Sequence, residues 1–113
     1  MRPNKKIDTM IAALADPTRR ALLRRLAERP LRAGALADGF AMSRPAVCKH
    51  ARMLKRAGLV KSSRSGREQI YELAPKGGQA IRSLIMELEE VGRFWDLALA
   101  AFARHVEKKG ARR

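Results

Sequence analysis

The chain is poor in several things that would have widened its possible chemistry. Its one cysteine, Cys48, excludes an intramolecular disulfide and a cysteine-rich zinc site. Its two histidines, His50 and His105, lie far apart, and no partner ligand sits near His50. No histidine–carboxylate pair sits at a useful spacing, and there is no glycine-rich phosphate loop, so nothing points to an enzyme. No apolar run approaches the ~20 residues of a spanning helix. The basic start, Met1-Arg2-Pro3-Asn4-Lys5-Lys6, is not followed by an apolar signal region, so a cytoplasmic protein without a membrane segment is expected. Carboxylates are scarce: Asp and Glu total 11 against 25 Lys and Arg, a net charge of +14. Between Asp38 and Glu68 there are none at all.

That gap holds the most informative stretch. Arg44, Lys49, Arg52, Lys55, Arg56, Lys61, Arg64 and Arg67 follow one another with no local counter-charge. A polyanion is the expected partner, with double-stranded DNA ahead of an anionic membrane surface. Ser43 and Pro45 start a helix here, Gly58 stops it, and Gly66 marks the tip of a basic hairpin. A helix followed by a hairpin in this order suggests a recognition helix and a wing.

At 113 residues the chain suits one domain. Ile7, Met10, Ile11 and Leu14 have helical spacing. Asp16 caps a second helix with Pro17 at its first position, a stripe of Leu22, Leu23 and Leu26, and solvent-facing Arg19, Arg20, Arg24 and Arg25. Pro30 ends it. Residues Leu31 to Phe40 read as a short third helix anchored by Leu36 and Phe40. Residues Arg44 to Ala57 read as the fourth, with Val47, Ala51, Met53 and Leu54 inward. Leu59 to Arg64 and Glu68 to Leu73 read as two strands, with Tyr71 and Leu73 on one face. A last helix is expected over about 79–107, then a disordered basic tail over 108–113. Ile81, Leu88, Trp95 and Phe102 recur every seventh residue of it, with Leu84, Ile85, Val91, Leu99 and Val106 beside them, the pattern of a helix seam. The expected fold is mainly α with a small β-hairpin, α-α-α-α-β-β-α. The turn between the third and fourth helices falls where a helix-turn-helix needs it.

In such a motif the second helix lies in the major groove and its N-terminal residues reach base edges. Those residues are Ser43, Arg44, Ala46, Lys49 and His50. Arg44 suits the guanine edge and Ala46 a thymine methyl. Ser43, Lys49 and Arg52 suit phosphates, and Arg64 and Arg67 reach backbone or minor groove from the wing. His50 reads as a hydrogen-bonding helix residue or a phosphate contact.

The run Leu14-Ala15-Asp16-Pro17-Thr18-Arg19-Arg20, then Met42-Ser43-Arg44-Pro45-Ala46-Val47 with Lys49-His50, Leu54 and Ala57-Gly58-Leu59-Val60, resembles the ArsR/SmtB transcription regulators. Gly66-Arg67 with Tyr71 and Leu73 is similar to their wing, and Phe94-Trp95 to a feature of one branch. The likeness spans about residues 7 to 106. It implies a winged helix-turn-helix homodimer, paired through its first and last helices, that represses from a palindromic operator. The interface would then hold Ile7, Met10, Ile11, Leu84, Leu88, Val91, Trp95, Leu99 and Phe102. On this reading the single domain, 1–113, divides into a DNA-binding core at about 16–75, dimerisation helices at about 7–15 and 79–107, and the tail.

The chain also departs from the family pattern. It has none of the third-helix cysteines through which many members sense metal, and Asp96, His105 and Glu107 do not reproduce the ligand spacing others carry on the last helix. No metal and no cofactor are expected. Cys48 stands where the family usually has serine and Ala51 where it has leucine. A thiol in the DNA-reading helix opens a redox- or small-molecule-sensing alternative. A basic architectural protein without an operator is the other.

Overall fold

Asp16 fixes the first corner of the fold. In the computed structural model, which describes residues 5–111, its carboxylate accepts the backbone N–H groups of Thr18 (2.7 Å) and Arg19 (3.2 Å), and Pro17 opens the helix behind it. Two of the four donors that a helix N-terminus leaves unpaired are thereby satisfied. Helix α1 spans Lys5–Leu14 and α2 spans Pro17–Glu28. A two-residue strand, β1 (Leu31–Arg32), precedes α3 (Ala33–Ala37). Helix α4 covers Arg44–Arg56, strands β2 and β3 cover Val60–Ser65 and Glu68–Leu73, and α5 covers Gly77–Ala111.

The stop of α4 is set by Gly58. At φ 76° it lets Leu59 N–H reach the Leu54 carbonyl (3.0 Å) while its own N–H reaches Lys55 (3.0 Å). This is a Schellman closure, and it turns the chain directly into β2. At the wing tip Ser65 pairs with Glu68, so Gly66 and Arg67 form a two-residue loop. Gly66 has φ 64° and no non-glycine residue among those described has positive φ, the pattern of a type II′ turn.

Two expectations about local structure are corrected. Leu31 and Arg32 are strand, not the start of a third helix: they pair antiparallel with Tyr71 and Ile70, and the sheet order is β1-β3-β2. The pairing covers the second edge of β3, and an edge seeks a partner wherever one comes within reach. Pro30 favours extended backbone before it and cannot extend α2. Phe40 accordingly lies beyond α3, under the guanidinium of Arg25 at 4.4 Å from its ring centroid. Residues 108–111, expected to be disordered, continue α5; the last two residues of the predicted tail fall outside those described.

The described chain divides into two compact units, one reaching to Ile81 and one beginning at Arg82. The core of the first gathers Leu22 and Leu26 from α2, Leu36 from α3, Val47, Ala51 and Leu54 from α4, and Leu59, Val60 and Tyr71 from the sheet. Leu73, expected to share Tyr71's buried face, is exposed. Ala51 is fully enclosed, so the small side chain is matched by its neighbours. The second unit is the remainder of α5. Met86, Leu88, Val91, Phe94, Trp95, Leu97, Leu99, Phe102 and Val106 are all exposed along it, Trp95 and Phe102 at 67% each. Among the described residues no helix is long and apolar enough to cross a membrane.

Candidate nucleic-acid interface

Ser43 caps α4 by accepting the Ala46 N–H at 3.3 Å, which commits its hydroxyl to the helix start beside Arg44. From there the helical repeat sorts the basic residues into strips. Pro45, Lys49, Arg52 and Arg56 form the outer ridge, and all four are exposed. Arg44, Cys48, Arg52 and Lys55 turn toward the sheet, where they line a cleft with Ser62 and Tyr71. Ala46, His50 and Met53 lie on the other flank, partly buried, toward α2. The predicted DNA-contacting residues of α4 therefore occupy three strips of one helix.

The charges are neutralised unevenly. Lys61, one of the eight cations, pairs with Glu72 across the hairpin at 3.3 Å. Arg32 on β1 pairs with Glu68 at 2.8 Å. Lys55 donates to the Ser62 hydroxyl at 2.8 Å and ties the end of α4 to the wing. Among the described residues no carboxylate pairs with Arg44, Lys49, Arg52, Arg56, Arg64 or Arg67. Arg64 and Arg67 are exposed on either side of Gly66. Arg44 lies over Gly34 of α3, where a Cβ would meet its guanidinium at 3.6 Å, an ordinary van der Waals contact.

The cleft between α4 and the wing has an apolar floor. Cys48 is a free, half-buried thiol, and the Tyr71 phenol is buried beside it. Burial raises the Tyr71 pKa above its ordinary 10.0, the charge and hydrogen bond of Cys48 add to the rise, and Arg52 pulls weakly the other way. Asp16 moves oppositely. Partial burial opposes its ionisation, but the N–H groups of Arg19 and Thr18 outweigh it, and the Arg19 charge adds attraction, so its pKa falls below 3.8. Among the described residues no three of His, Cys, Asp and Glu converge in a way that would hold a metal ion.

Of the α2 arginines expected to face solvent, Arg20 and Arg24 are exposed, but Arg19 is buried and Arg25 half-buried. Arg19 is 8% exposed and donates to the Ala13 carbonyl (2.6 Å) and the Ala12 carbonyl (2.8 Å). Arg20 donates to Leu14 at 2.7 Å, so the two arginines close the end of α1. Arg25 donates to the Leu36 carbonyl at 3.0 Å and the Ala35 carbonyl at 3.4 Å, closing α3. Guanidinium groups suit the partial negative charge of helix C-termini. No local sequence signal marks this role, because it depends on which helix end packs beside each arginine.

The residues expected at an interface between copies differ in their exposure within one chain. Met10 and Leu84 are 4% and 6% exposed in one copy. Ile7 is half-buried, and Ile11, Leu88, Val91, Trp95, Leu99 and Phe102 are exposed.

A capped helix with a cationic outer ridge, a preceding short helix joined to it through a glycine turn, and a basic two-stranded wing define a winged helix-turn-helix DNA-binding protein. Comparison with known proteins agrees. Residues 14–63 match the family described as "Helix-turn-helix domain". The chain is 42% identical over 98 residues to the HTH-type transcriptional regulator Rv2034 of Mycobacterium tuberculosis, covering 87% of this chain and 86% of that one. It is 40% identical over 65 residues to the HTH-type transcriptional repressor SmtB of the same organism, 58% of this chain and 48% of that one. Among solved structures, an ArsR-like transcriptional regulator from Rhodococcus sp. RHA1 superposes with a TM-score of 0.68 at 35% identity, covering 87% of this chain and 90% of that one. The chain belongs to the ArsR/SmtB family of transcriptional regulators, a family of DNA-binding proteins and not of enzymes.

Proposed function

We propose that this protein is a homodimeric repressor of a palindromic operator that acts without a metal effector. The unpaired cations of α4 and the wing carry the proposal. Six side chains with no carboxylate partner flank one helix and one hairpin tip, and the nearest use for them is phosphate and base contact. Arg44, exposed at the start of α4, is the base reader, and Ala46 meets a thymine methyl. Lys49, Arg52, Arg64 and Arg67 hold the backbone, and Ser43 sets the helix start.

Dimerisation is supported by the apolar strip on α5. Leu88, Val91, Trp95, Leu99 and Phe102 expose more contiguous apolar surface than a solitary chain ordinarily keeps. Twofold pairing would set two α4 helices one duplex turn apart and make the operator palindromic. Repression is supported by the name of the M. tuberculosis relative. Independence of metal is read from the sequence, which has no third-helix cysteines and spaces Asp96, His105 and Glu107 unlike a ligand set.

The test is a mobility shift on the DNA upstream of the gene, with scrambled DNA as competitor. Tight, sequence-selective binding that weakens in Arg44→Ala and Arg67→Ala is expected. Equal binding by parent and variants at moderate salt would remove the site assignment, and equal affinity for scrambled DNA would make the protein architectural. A sedimentation measurement that gives a monomer at the binding concentration would remove the dimer. A thiol-responsive version of the same repressor is the second reading, favoured by the position of Cys48 in the cleft between α4 and the wing. It fails if Cys48→Ser releases DNA on oxidation as readily as the parent.

A further inference from the structure

We infer that Arg19 is a positioning residue for DNA contact: its buried guanidinium holds His50 of α4 as the Nε2–H tautomer, so that the imidazole offers a donor to a DNA phosphate oxygen. The inference rests on α4 being the helix that meets DNA.

The geometry begins with what surrounds Arg19. Its Nε and Nη2 are used by the carbonyls of Ala13 and Ala12 at the end of α1. The remaining nitrogen, Nη1, lies 3.1 Å from His50 Nδ1 and 3.3 Å from Met53 Sδ, with Asp16 Oδ2 at 4.0 Å. A guanidinium carries five N–H donors and no acceptor, and it stays charged. His50 Nδ1 must therefore present a lone pair, which puts the ring proton of the neutral imidazole on Nε2. The opposite tautomer would set N–H against N–H, and an imidazolium would add a second positive charge beside the first.

The other ring nitrogen is left for solvent or a ligand. His50 is half-buried, and no hydrogen bond to its Nε2 is made among the described residues. No buried side-chain nitrogen or oxygen among them lacks a partner, so Nε2 reaches the surface. His50 follows Lys49 of the outer ridge and lies on the flank facing α2, to the side of the base-reading end at Ser43 and Arg44. A phosphate on the margin of the groove is the acceptor that such a donor fits, and phosphate contacts fix the register of a protein on its duplex. One buried side chain thus joins the end of α1, the cap of α2 and the orientation of a contact on α4.

Two measurements on the full chain test this. The first reads the His50 ring nitrogens by long-range proton–nitrogen NMR in the DNA-free protein at the pH used for binding, with His105 as the internal comparison. A neutral ring protonated at Nε2 is expected. A ring protonated at Nδ1, or at both nitrogens, overturns the inference without any variant having to fold. The second is a double-mutant cycle on operator binding with Arg19→Lys and His50→Ala. Each single variant is expected to lose about a hundredfold in affinity, about tenfold for one hydrogen bond to a charged group in each of the two protomers. In the His50→Ala background, Arg19→Lys is expected to cost almost nothing further. Equal cost of Arg19→Lys in both backgrounds would show that it acts only on helix docking, and would overturn the positioning role even with the expected tautomer. If the parent binds no operator at all, it is the DNA reading that has failed, and the NMR result still judges the Arg19–His50 bond.

Discussion

Removing the two wing-tip cations together gives a prediction whose size depends on the oligomeric state as well as on the contact. Arg64 and Arg67 are exposed beside Gly66, and no carboxylate among the described residues pairs with either. If each meets one phosphate, a dimer makes four such contacts. Each contact adds about 0.9 to the slope of log affinity against log salt, so Arg64→Ala with Arg67→Ala should flatten that slope by about 3.6 units in a dimer and about 1.8 in a monomer. Over a fourfold rise in salt the dimer value means that the parent loses about 150-fold more affinity than the variant does. Fluorescence anisotropy of a labelled operator across a salt series reads this directly. Lys61→Ala is the control, since that ammonium is already engaged by Glu72 at 3.3 Å, and its slope should match the parent's. An unchanged slope in the double variant, or an equal change in the control, would refute the view that unpaired cations are the ones that touch DNA.

Gly58→Ala tests the stop of α4. Nothing lies within 4 Å of the added Cβ, so the cost is the left-handed backbone alone, about 1 kcal/mol, and the thermal midpoint should fall by about 4–8 °C; no change would mean the φ of 76° is not held. Asp16 tests the corner between α1 and α2. Its pKa is lowered by folding, so its contribution to stability is complete above the ordinary 3.8 and is lost as the pH falls through the lowered value. Denaturant melts in acid should show Asp16→Asn losing its deficit relative to the parent as the pH drops. A deficit that persists below the parent's titration would place the effect elsewhere. Tyr71, the only tyrosine, should ionise above 10.0 in an ultraviolet titration. Because its pKa is raised by folding, the associated stability is present below 10.0 and is lost as the pH climbs to the raised value. Midpoints at 10.0 in both the folded and the denatured chain would contradict its burial against Cys48.

Much of the architecture was legible because its signals are local. Asp16-Pro17, Ser43-Pro45, Gly58 and Gly66 each act within a few residues, and each starts or stops an element where the chain suggested it would. The seven-residue apolar repeat of α5 was equally plain. Strand β1 was missed because two residues carry no periodicity and its partner is Tyr71, some forty positions on. The roles of Arg19, Arg20 and Arg25 were missed for a related reason. An arginine on a helix surface is usually solvated, and only the arrival of another helix end beside it reveals a different task.

What the amino-acid order determined by itself is the inventory: a basic, carboxylate-free run, the caps and glycines that cut it into helix and hairpin, and a long last helix with a seven-residue apolar repeat. Short-range hydrogen bonding and side-chain periodicity suffice for those. The tertiary structure alone decided which cations are spent internally and which stay free. Lys61 meets Glu72 and Arg19 is buried against His50, while Arg44, Lys49, Arg52, Arg64 and Arg67 are left without a carboxylate partner among the described residues. The partners of a charged or apolar side chain are set by which distant segments fold against it, and no local rule carries that distance.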